Sequence, residues 1–426
     1  LLIIIFILIA GGAKGYTKDF DYSHIAPHPR LLLKEGEERN IHIALQKSTV
    51  LQAFHKRILD YCDETLKEAP VKRIKEGKRL LGVSRIVLKR VFYLSYAYRM
   101  TGEKEYLRRA EKEMLAAASF IDWNPSHFLD VSEMSMGLAI GYDWLFNELL
   151  PDSRKKIRQA IVEKAIEASK TKHASFYQSR TNWNQVCNGG LVCSALAIYE
   201  DEPEKTKEII NKALQTVPLA LECYAPDGGY PEGFGYWSYG TSYQVMLNDA
   251  LESSLGHDAG LSDYPGFLQS AQYIQYMTAP TGDCFNFSDA SPKAYGNIMM
   301  FWFAHKTKNP SLLWLEKKYL NDANLEFGEY LEERFLPCLL IFASRIDLDE
   351  VISPKGNTWH SIGTTPVYIY RSGWNYKTDT YLGVKGGTAS TSHAHMDAGS
   401  FIYEQAGVRW AMDLGMQDYY LSLIHI

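Results

Sequence analysis

The chain has 426 residues, which is too long for one ordinary hydrophobic core and predicts two or more domains. Hydrophobic residues make up 46% and charged residues 22%, a balance that excludes extensive disorder. The formal net charge of −5 argues against a general nucleic-acid binder, although an acidic protein can still hold a locally positive cleft for an acidic sugar.

The first ten residues are almost all large and apolar, and small residues follow at Gly11 and Ala13. A run of this length is too short to span a bilayer and is typical of a signal-peptide core. We therefore expect residues 1–13 to be part of a signal peptide, the protein to be periplasmic or secreted, and no membrane span to remain after its removal.

The six cysteines form no CxxC motif, and buried free thiols are the default expectation.

Helical spacing of apolar residues dominates the first three quarters of the chain. It predicts helices at 85–100, 105–120, 132–149, 153–169, 186–199, 205–223, 242–254, 267–277 and 325–342. Short turns separate them, and no strand pattern lies between them. Repeated antiparallel helix pairs without a strict short repeat favour an α/α toroid over a solenoid. The connection at 224–240 is rich in Gly, Tyr and Pro, and we predict a long loop there, either functional or a structural turn.

After about residue 345 the pattern changes to alternation and β-forming residues. Strands are predicted at 366–371, 378–384, 400–404 and 408–413, with a hairpin connection at 405–407. The fold class is therefore multidomain α+β: an α/α toroid over 20–343, followed over 344–426 by an antiparallel β-sandwich domain that is truncated. Residues 421–426 back-translate to the end of a common transposon sequencing adaptor. We expect them not to be native and the protein to continue past Tyr420.

The first cluster of candidate site residues is His393, His395 and Asp397, spaced as His-x-His-x-Asp. In an extended segment the two imidazoles would face the same side. With Asp413 on the next predicted strand they could hold a metal ion, which would need a further ligand. A His-x-His spacing alone is equally compatible with no metal site.

The second cluster is the run of amides Asn182, Asn184 and Asn188 at the start of an apolar helix. They could cap the helix or donate hydrogen bonds to a substrate carboxylate.

The third cluster follows Asp227 and Gly228 and contains Glu232, Tyr236, Trp237, Tyr239 and Tyr243. Three of its tyrosines would share one face of a helix, either as core or with one tyrosine as an acid or base.

These clusters resemble the heparinase II/III-like polysaccharide lyases, whose relatives include oligo-alginate lyases. Similar members carry a His-x-His-x-Asp-x-x-Ser-Phe block, here at 393–401, and a Glu-Gly-x-x-Tyr block after Asp-Gly, here at 232–236. An Asn-containing helix start and a His-Pro-Arg-Leu segment, here at 28–31, are also similar. The resemblance covers nearly the whole chain after the signal.

The resemblance implies a polysaccharide lyase that cleaves a uronic-acid-containing polysaccharide by β-elimination and leaves a 4,5-unsaturated uronate. It implies that Tyr236 is the catalytic tyrosine, with Tyr239 as the second choice, and that His393 is the catalytic-site histidine. Asn182 or Asn184 would neutralise the uronate carboxylate, and Asn188, Glu232 and Trp237 would bind substrate. His395 and Asp413 would hold a structural zinc, with a third ligand beyond Tyr420.

Some relatives carry a histidine in the helix-start block, where this chain has Trp183 and amides, so the neutralising residue and the substrate stay open. Heparin, heparan sulfate, alginate and hyaluronan are all compatible, as are endo and exo cleavage and any oligomeric state. Two other functions also remain. One is a glycoside hydrolase on a similar toroid, using two acids among Asp143, Asp227, Glu232 and Asp289. The other is a glycan-binding protein without catalysis.

Overall fold

A computed structural model describes residues 20–321 and 330–416. The predicted signal peptide, the adaptor-like C-terminus and the third zinc ligand expected beyond Tyr420 lie outside these ranges. The helices are α1 (Glu38–Lys47), α2 (Thr49–Lys67), α3 (Leu81–Thr101), α4 (Lys104–Ala118), α5 (Phe128–Trp144), α6 (Pro151–Ile161), α7 (Asn182–Ala197), α8 (Pro203–Leu221), α9 (Gly233–Leu255), α10 (Ser270–Met277), α11 (Met300–Thr307), α12 (Trp314–Asn321) and α13 (Leu336–Ala343).

The helices form two layers. Helices α3, α5, α7 and α9 pack side by side as an inner layer, and α4, α6 and α8 pack on them from outside. Every residue of α5 is buried, and so is every residue of α7 except Trp183, whereas the outer helices bury one face and expose charged residues on the other. Amphipathic outer helices around apolar inner helices are the arrangement that an α/α toroid requires. The predicted helical toroid is confirmed.

The predicted loop at 224–240 is wrong in its extent, because α9 begins at Gly233. Glycine and tyrosine in this stretch suggested a loop, yet several of these residues, such as Tyr224, Tyr230 and Gly240, are buried in the structure. Gly240 shows why a small residue is needed. A Cβ placed there would lie 2.6 Å from Gln185 Oε1 and 3.0 Å from Asn182 Cβ on α7. Tertiary packing therefore overrides the low helix propensity of glycine.

Five strands form an antiparallel sheet in chain order: β3 (Thr358–Ser361), β4 (Val367–Arg371), β5 (Tyr381–Lys385), β6 (Phe401–Gln405) and β7 (Val408–Ala411). Two short strands, β1 (Gly296–Asn297) and β2 (Tyr330–Leu331), pair in parallel elsewhere. The four predicted strands correspond to β4 to β7, and β3 was not predicted. A helical toroid followed by a β domain is thus confirmed, and residues 358–411 supply one sheet of the predicted sandwich.

Alternation along the strands gives the sheet an inner and an outer face. On β4, Val367, Ile369 and Arg371 are buried, whereas Tyr368 and Tyr370 are exposed. The inner face contacts the helices, where Tyr381 donates a hydrogen bond to the Tyr276 carbonyl at the end of α10, at 2.8 Å. Just after β3, the Ile362 amide donates to Asp227 in the turn before α9, at 2.7 Å.

All six cysteines are free thiols, and five of them are buried, as the sequence predicted. None of the helices that the structure describes is long and apolar enough to cross a membrane.

Candidate active site

A stacked pair of rings joins the toroid to the sheet. Tyr236 lies in the first turn of α9, and His393 lies in the loop between β5 and β6. Their ring centroids are 3.9 Å apart, and the planes differ by 19°. Both side chains are only partly buried. The structure therefore brings together the two residues that the resemblance implied to be catalytic, from segments more than 150 positions apart in the sequence.

A single carboxylate bridges the two histidines of the His-x-His pair. Asp289 Oδ2 lies 2.7 Å from His393 Nδ1, and Asp289 Oδ1 lies 3.0 Å from His395 Nε2. An ionised carboxylate only accepts hydrogen bonds, so His393 donates from Nδ1. In the neutral ring Nε2 then carries the lone pair, which fixes the tautomer that a general base requires.

The loop that carries both histidines is irregular, so the two imidazoles are not arranged as they would be in an extended segment. His393 has a φ of 56°, in the left-handed region that residues other than glycine rarely adopt. Such backbone conformations concentrate at functional sites, where surrounding contacts hold them. Here the buried Lys385 forms an ion pair with Asp397, and the Gly399 amide donates to the Lys385 carbonyl at 2.7 Å. Asp397 therefore fixes the loop rather than facing the two histidines.

Asn182 and Glu232 form the other wall of the site. Both are 3% exposed, and Asn182 Nδ2 donates to Glu232 Oε2 at 3.2 Å. The same Glu232 oxygen lies 3.7 Å from His393 Nε2. Burial raises the pKa of the Glu232 carboxyl to about 7, and the hydrogen bond from Asn182 opposes the shift. Asn182, Glu232, Tyr236 and His393 are therefore one contiguous group.

The two other amides lie outside this group. Asn184 is fully buried, and its side-chain NH2 donates to the carbonyls of Ser179 and Thr216, each at 2.9 Å. Asn188 is also fully buried and donates to the carbonyl and the side chain of Asn184. These contacts connect α7 to α8 and to the preceding turn, so of the three amides only Asn182 lies beside Glu232 and His393.

Tyr239 and Trp237 also point away from the stacked pair of Tyr236 and His393. The Tyr239 hydroxyl donates to Glu133 at 3.1 Å, and Glu133 is fully buried between the guanidinium groups of Arg85 and Arg334. Burial, followed by the charge of Glu133, raises the pKa of Tyr239 well above its usual range. Trp237 is 1% exposed and packs near Phe303, so its ring offers no face to a sugar.

The two zinc ligands implied by the resemblance, His395 and Asp413, have other partners among the described residues. His395 contacts Asp289, whereas the Asp413 carboxylate accepts from the Gly415 amide at 2.8 Å. Within residues 20–321 and 330–416, no three His, Cys, Asp or Glu side chains are grouped so that they could hold a metal ion. Zinc binding by His395 and Asp413 stays a prediction, and no step below depends on it.

The four acids proposed for a hydrolase divide into two pairs. Asp143 is buried and accepts hydrogen bonds from the backbone amides of Arg30 and Leu31, which explains the His-Pro-Arg-Leu segment as structural. Asp227 accepts from the Ile362 amide. Glu232 and Asp289 lie on either side of His393. Sequence reasoning named Asp289 only as a hydrolase acid, because nothing in its local pattern links it to a histidine 104 positions later.

Comparison with known proteins identifies the fold. A crystal structure of a mutant heparan sulfate lyase HepC from Pedobacter heparinus matches with a TM-score of 0.51 and 12% identity, covering 93% of this chain and 67% of that chain. A crystal structure of heparinase III matches with a TM-score of 0.51 and 13% identity, covering 84% and 55%. A heparinase III with methylated lysines gives a TM-score of 0.47 and 14% identity, covering 84% and 54%.

This chain therefore has a heparinase-like polysaccharide lyase fold. It spans between 54% and 67% of the length of these three proteins. No protein-family model and no curated protein sequence matches it.

Proposed function

We propose that the protein is a polysaccharide lyase that cleaves an acidic, uronate-containing polysaccharide by β-elimination. The observation that carries the proposal is the stacked Tyr236–His393 pair beside Asn182 and Glu232. The Tyr236 phenol and the His393 imidazole can both transfer protons, and they lie beside the Asn182 amide, which can donate hydrogen bonds. β-Elimination requires a base, an acid and such a donor. The heparinase-like fold supports the same reaction class.

Each group has one role in the proposed reaction. Asn182 donates a hydrogen bond to the uronate carboxylate, which stabilises the negative charge that develops when C5 loses its proton. His393 Nε2, held as a base by the Nδ1 hydrogen bond to Asp289, accepts the C5 proton. The C5–H electron pair forms the C4–C5 double bond, and the C4–O4 bond breaks. Tyr236 donates its phenolic proton to the departing O4.

The test is a panel of heparan sulfate, heparin, hyaluronan and alginate, followed by the ultraviolet absorbance of the conjugated C4–C5 double bond. We expect absorbance to rise with at least one polymer, and Tyr236→Phe to lower the rate at least 100-fold, because a general acid contributes about 10² to 10⁴ in rate. Tyr239→Phe is the matched control and keeps most of the activity, since its hydroxyl binds Glu133.

Full activity in Tyr236→Phe would contradict the assignment of the acid. Reducing ends released without ultraviolet absorbance would instead select a hydrolase that uses Glu232 and Asp289. Binding to the polymers without any turnover would select a glycan-binding protein.

We also propose export to the periplasm or the exterior, since the substrate is a polymer and the chain begins with an apolar run followed by small residues.

A further inference from the structure

The Glu232 side chain is a buried acid between two groups that the proposed mechanism uses. Its Oε2 accepts from Asn182 and faces His393 Nε2 at 3.7 Å. It is the N-cap residue of α9, yet its side chain makes no capping hydrogen bond to that helix. The carboxyl is therefore directed into the site instead of stabilising the helix end.

The groups packed around Glu232 supply no permanent positive charge. Cys223 and Tyr224 lie near it from the turn after α8, and Tyr230 lies near it on its own loop. Burial raises the pKa of each of these three groups well above its usual range, so all three are neutral at physiological pH. From the β5–β6 loop the titratable group is His393. In the described chain no lysine or arginine pairs with Glu232.

A uronate that accepts from Asn182 would bring a second carboxylate next to this one. Two carboxylates that share one amide donor in a buried site repel each other unless one is protonated. A neutral Glu232 removes the repulsion and leaves a carboxylic acid O–H that can donate a hydrogen bond.

We propose that Glu232 controls the binding of the uronate carboxylate, so that the acidic sugar binds when Glu232 is protonated and is repelled when Glu232 is ionised. This makes Glu232 a positioning residue that couples substrate affinity to pH through Asn182. The inference rests on the proposed uronate substrate.

The pH dependence follows from linkage. Because the protonated form binds substrate, the dissociation constant is flat below the Glu232 pKa of about 7 and rises about tenfold per pH unit above it. The substrate contributes no titration in this range, because sugar carboxylates have pKa values below about 4 and are fully ionised at the pH values used. Binding near or above neutral pH also takes up a proton.

The experiment measures the dissociation constants of heparan sulfate, hyaluronan and alginate hexasaccharides by calorimetry between about pH 5.5 and 9, in the Tyr236→Phe background to prevent turnover. Buffers of different ionisation enthalpy report the proton uptake. We expect the rise in dissociation constant to be absent in Glu232→Gln and retained in Glu232→Asp. The methyl ester of the same oligosaccharide, whose uronate is uncharged, should bind the chain with Glu232 with a dissociation constant that does not rise with pH.

Glu316→Gln is the matched control. Glu316 is also a buried acid, on α12, where it accepts from the Asn297 amide at 3.1 Å, and burial raises its pKa to about 8. It lies outside the group around His393, so its replacement should leave the pH dependence of binding unchanged.

The inference is overturned if the dissociation constant rises with pH equally in Glu232→Gln and in the chain with Glu232. It is also overturned if none of the three hexasaccharides binds. If Glu232 had only a structural role, its replacement by glutamine would change the substrate affinity by the same factor at every pH. Proton-linked binding in the Tyr236→Phe background, with no unsaturated product formed by the chain that keeps Tyr236, would support this inference and contradict the lyase. Unsaturated product from the chain that keeps Tyr236, with pH-independent affinity in the Tyr236→Phe background, would do the reverse.

Discussion

The Asp289 carboxylate contacts both histidines of the His-x-His pair, and this arrangement determines what His393 can do. With Asp289 as acceptor at Nδ1, the nitrogen left for the proposed role as base is Nε2, on the side of Glu232. Removing the negative charge would weaken the preference for this tautomer and the stability of the imidazolium that forms after proton transfer.

We therefore expect Asp289→Asn to lower kcat about 100-fold while KM stays within about twofold, because the lost contribution acts on the base and not on the bound carboxylate. Steady-state kinetics on the active polymer measure both constants. Asp227→Asn serves as the control, because in the described part of the chain the Asp227 carboxylate accepts hydrogen bonds from the Ile362 and Gly229 amides and not from His393. A change confined to KM would contradict the orienting role.

At the scale of elements, the packing of α9 against α7 sets the position of Asn182. Gly240 lies where a side chain would meet Asn182 Cβ and Gln185 Oε1. A residue larger than glycine would therefore push the two helices apart at the active-site end.

Gly240→Ala should destabilise the protein by about 1 to 3 kcal/mol, the usual cost of overpacking, and lower activity by displacing Asn182. Gly235→Ala on the same helix is the matched control, since a Cβ there meets nothing within 4 Å. Alanine should be neutral or stabilising by up to about 1 kcal/mol at that position. Thermal melts of the two variants measure the change in stability. An equal decrease in melting temperature in both variants would show that the contact with α7 is unimportant.

The sequence predicted most helices and four of the five strands of the sheet, because their apolar periodicities are strong. It was wrong about the start of α9, since glycines and tyrosines suggest a loop when the close approach of α7 is unknown. Tyr236, His393 and Asn182 were identified through resemblance. Asp289 as the partner of His393 could not be found, because long-range pairing leaves no local pattern.

At the scale of the whole molecule, the sheet covers the toroid with one face and exposes aromatic side chains on the other. Tyr368, Tyr370 and Phe401 are 45%, 39% and 52% exposed, and Trp410 at the edge is 68% exposed. Contiguous exposed apolar surface of this kind favours association.

We expect the 426-residue chain to bind a hydrophobic dye and to self-associate as its concentration rises. Replacing Tyr368 and Tyr370 with lysine should reduce both effects without lowering the melting temperature, since both side chains point outward. Tyr376→Lys changes an exposed tyrosine in a turn outside the sheet and should leave both unchanged. Dye fluorescence and light scattering measure the outcome, and unaltered association in the double variant would contradict the role of this face.

The loop that carries His393 begins and ends on two strands that pair with each other, Val384 opposite Phe401. Its ends are thus fixed by the sheet, while its interior contacts the toroid through the two histidines, which share Asp289 as a partner. For protein engineering this makes the exposed residues 388–390 a segment that can be exchanged. A library confined to these positions would change what borders His393, the proposed base, and leave the paired strand residues and the helical core unchanged. Substrate preference could then be evolved separately from stability.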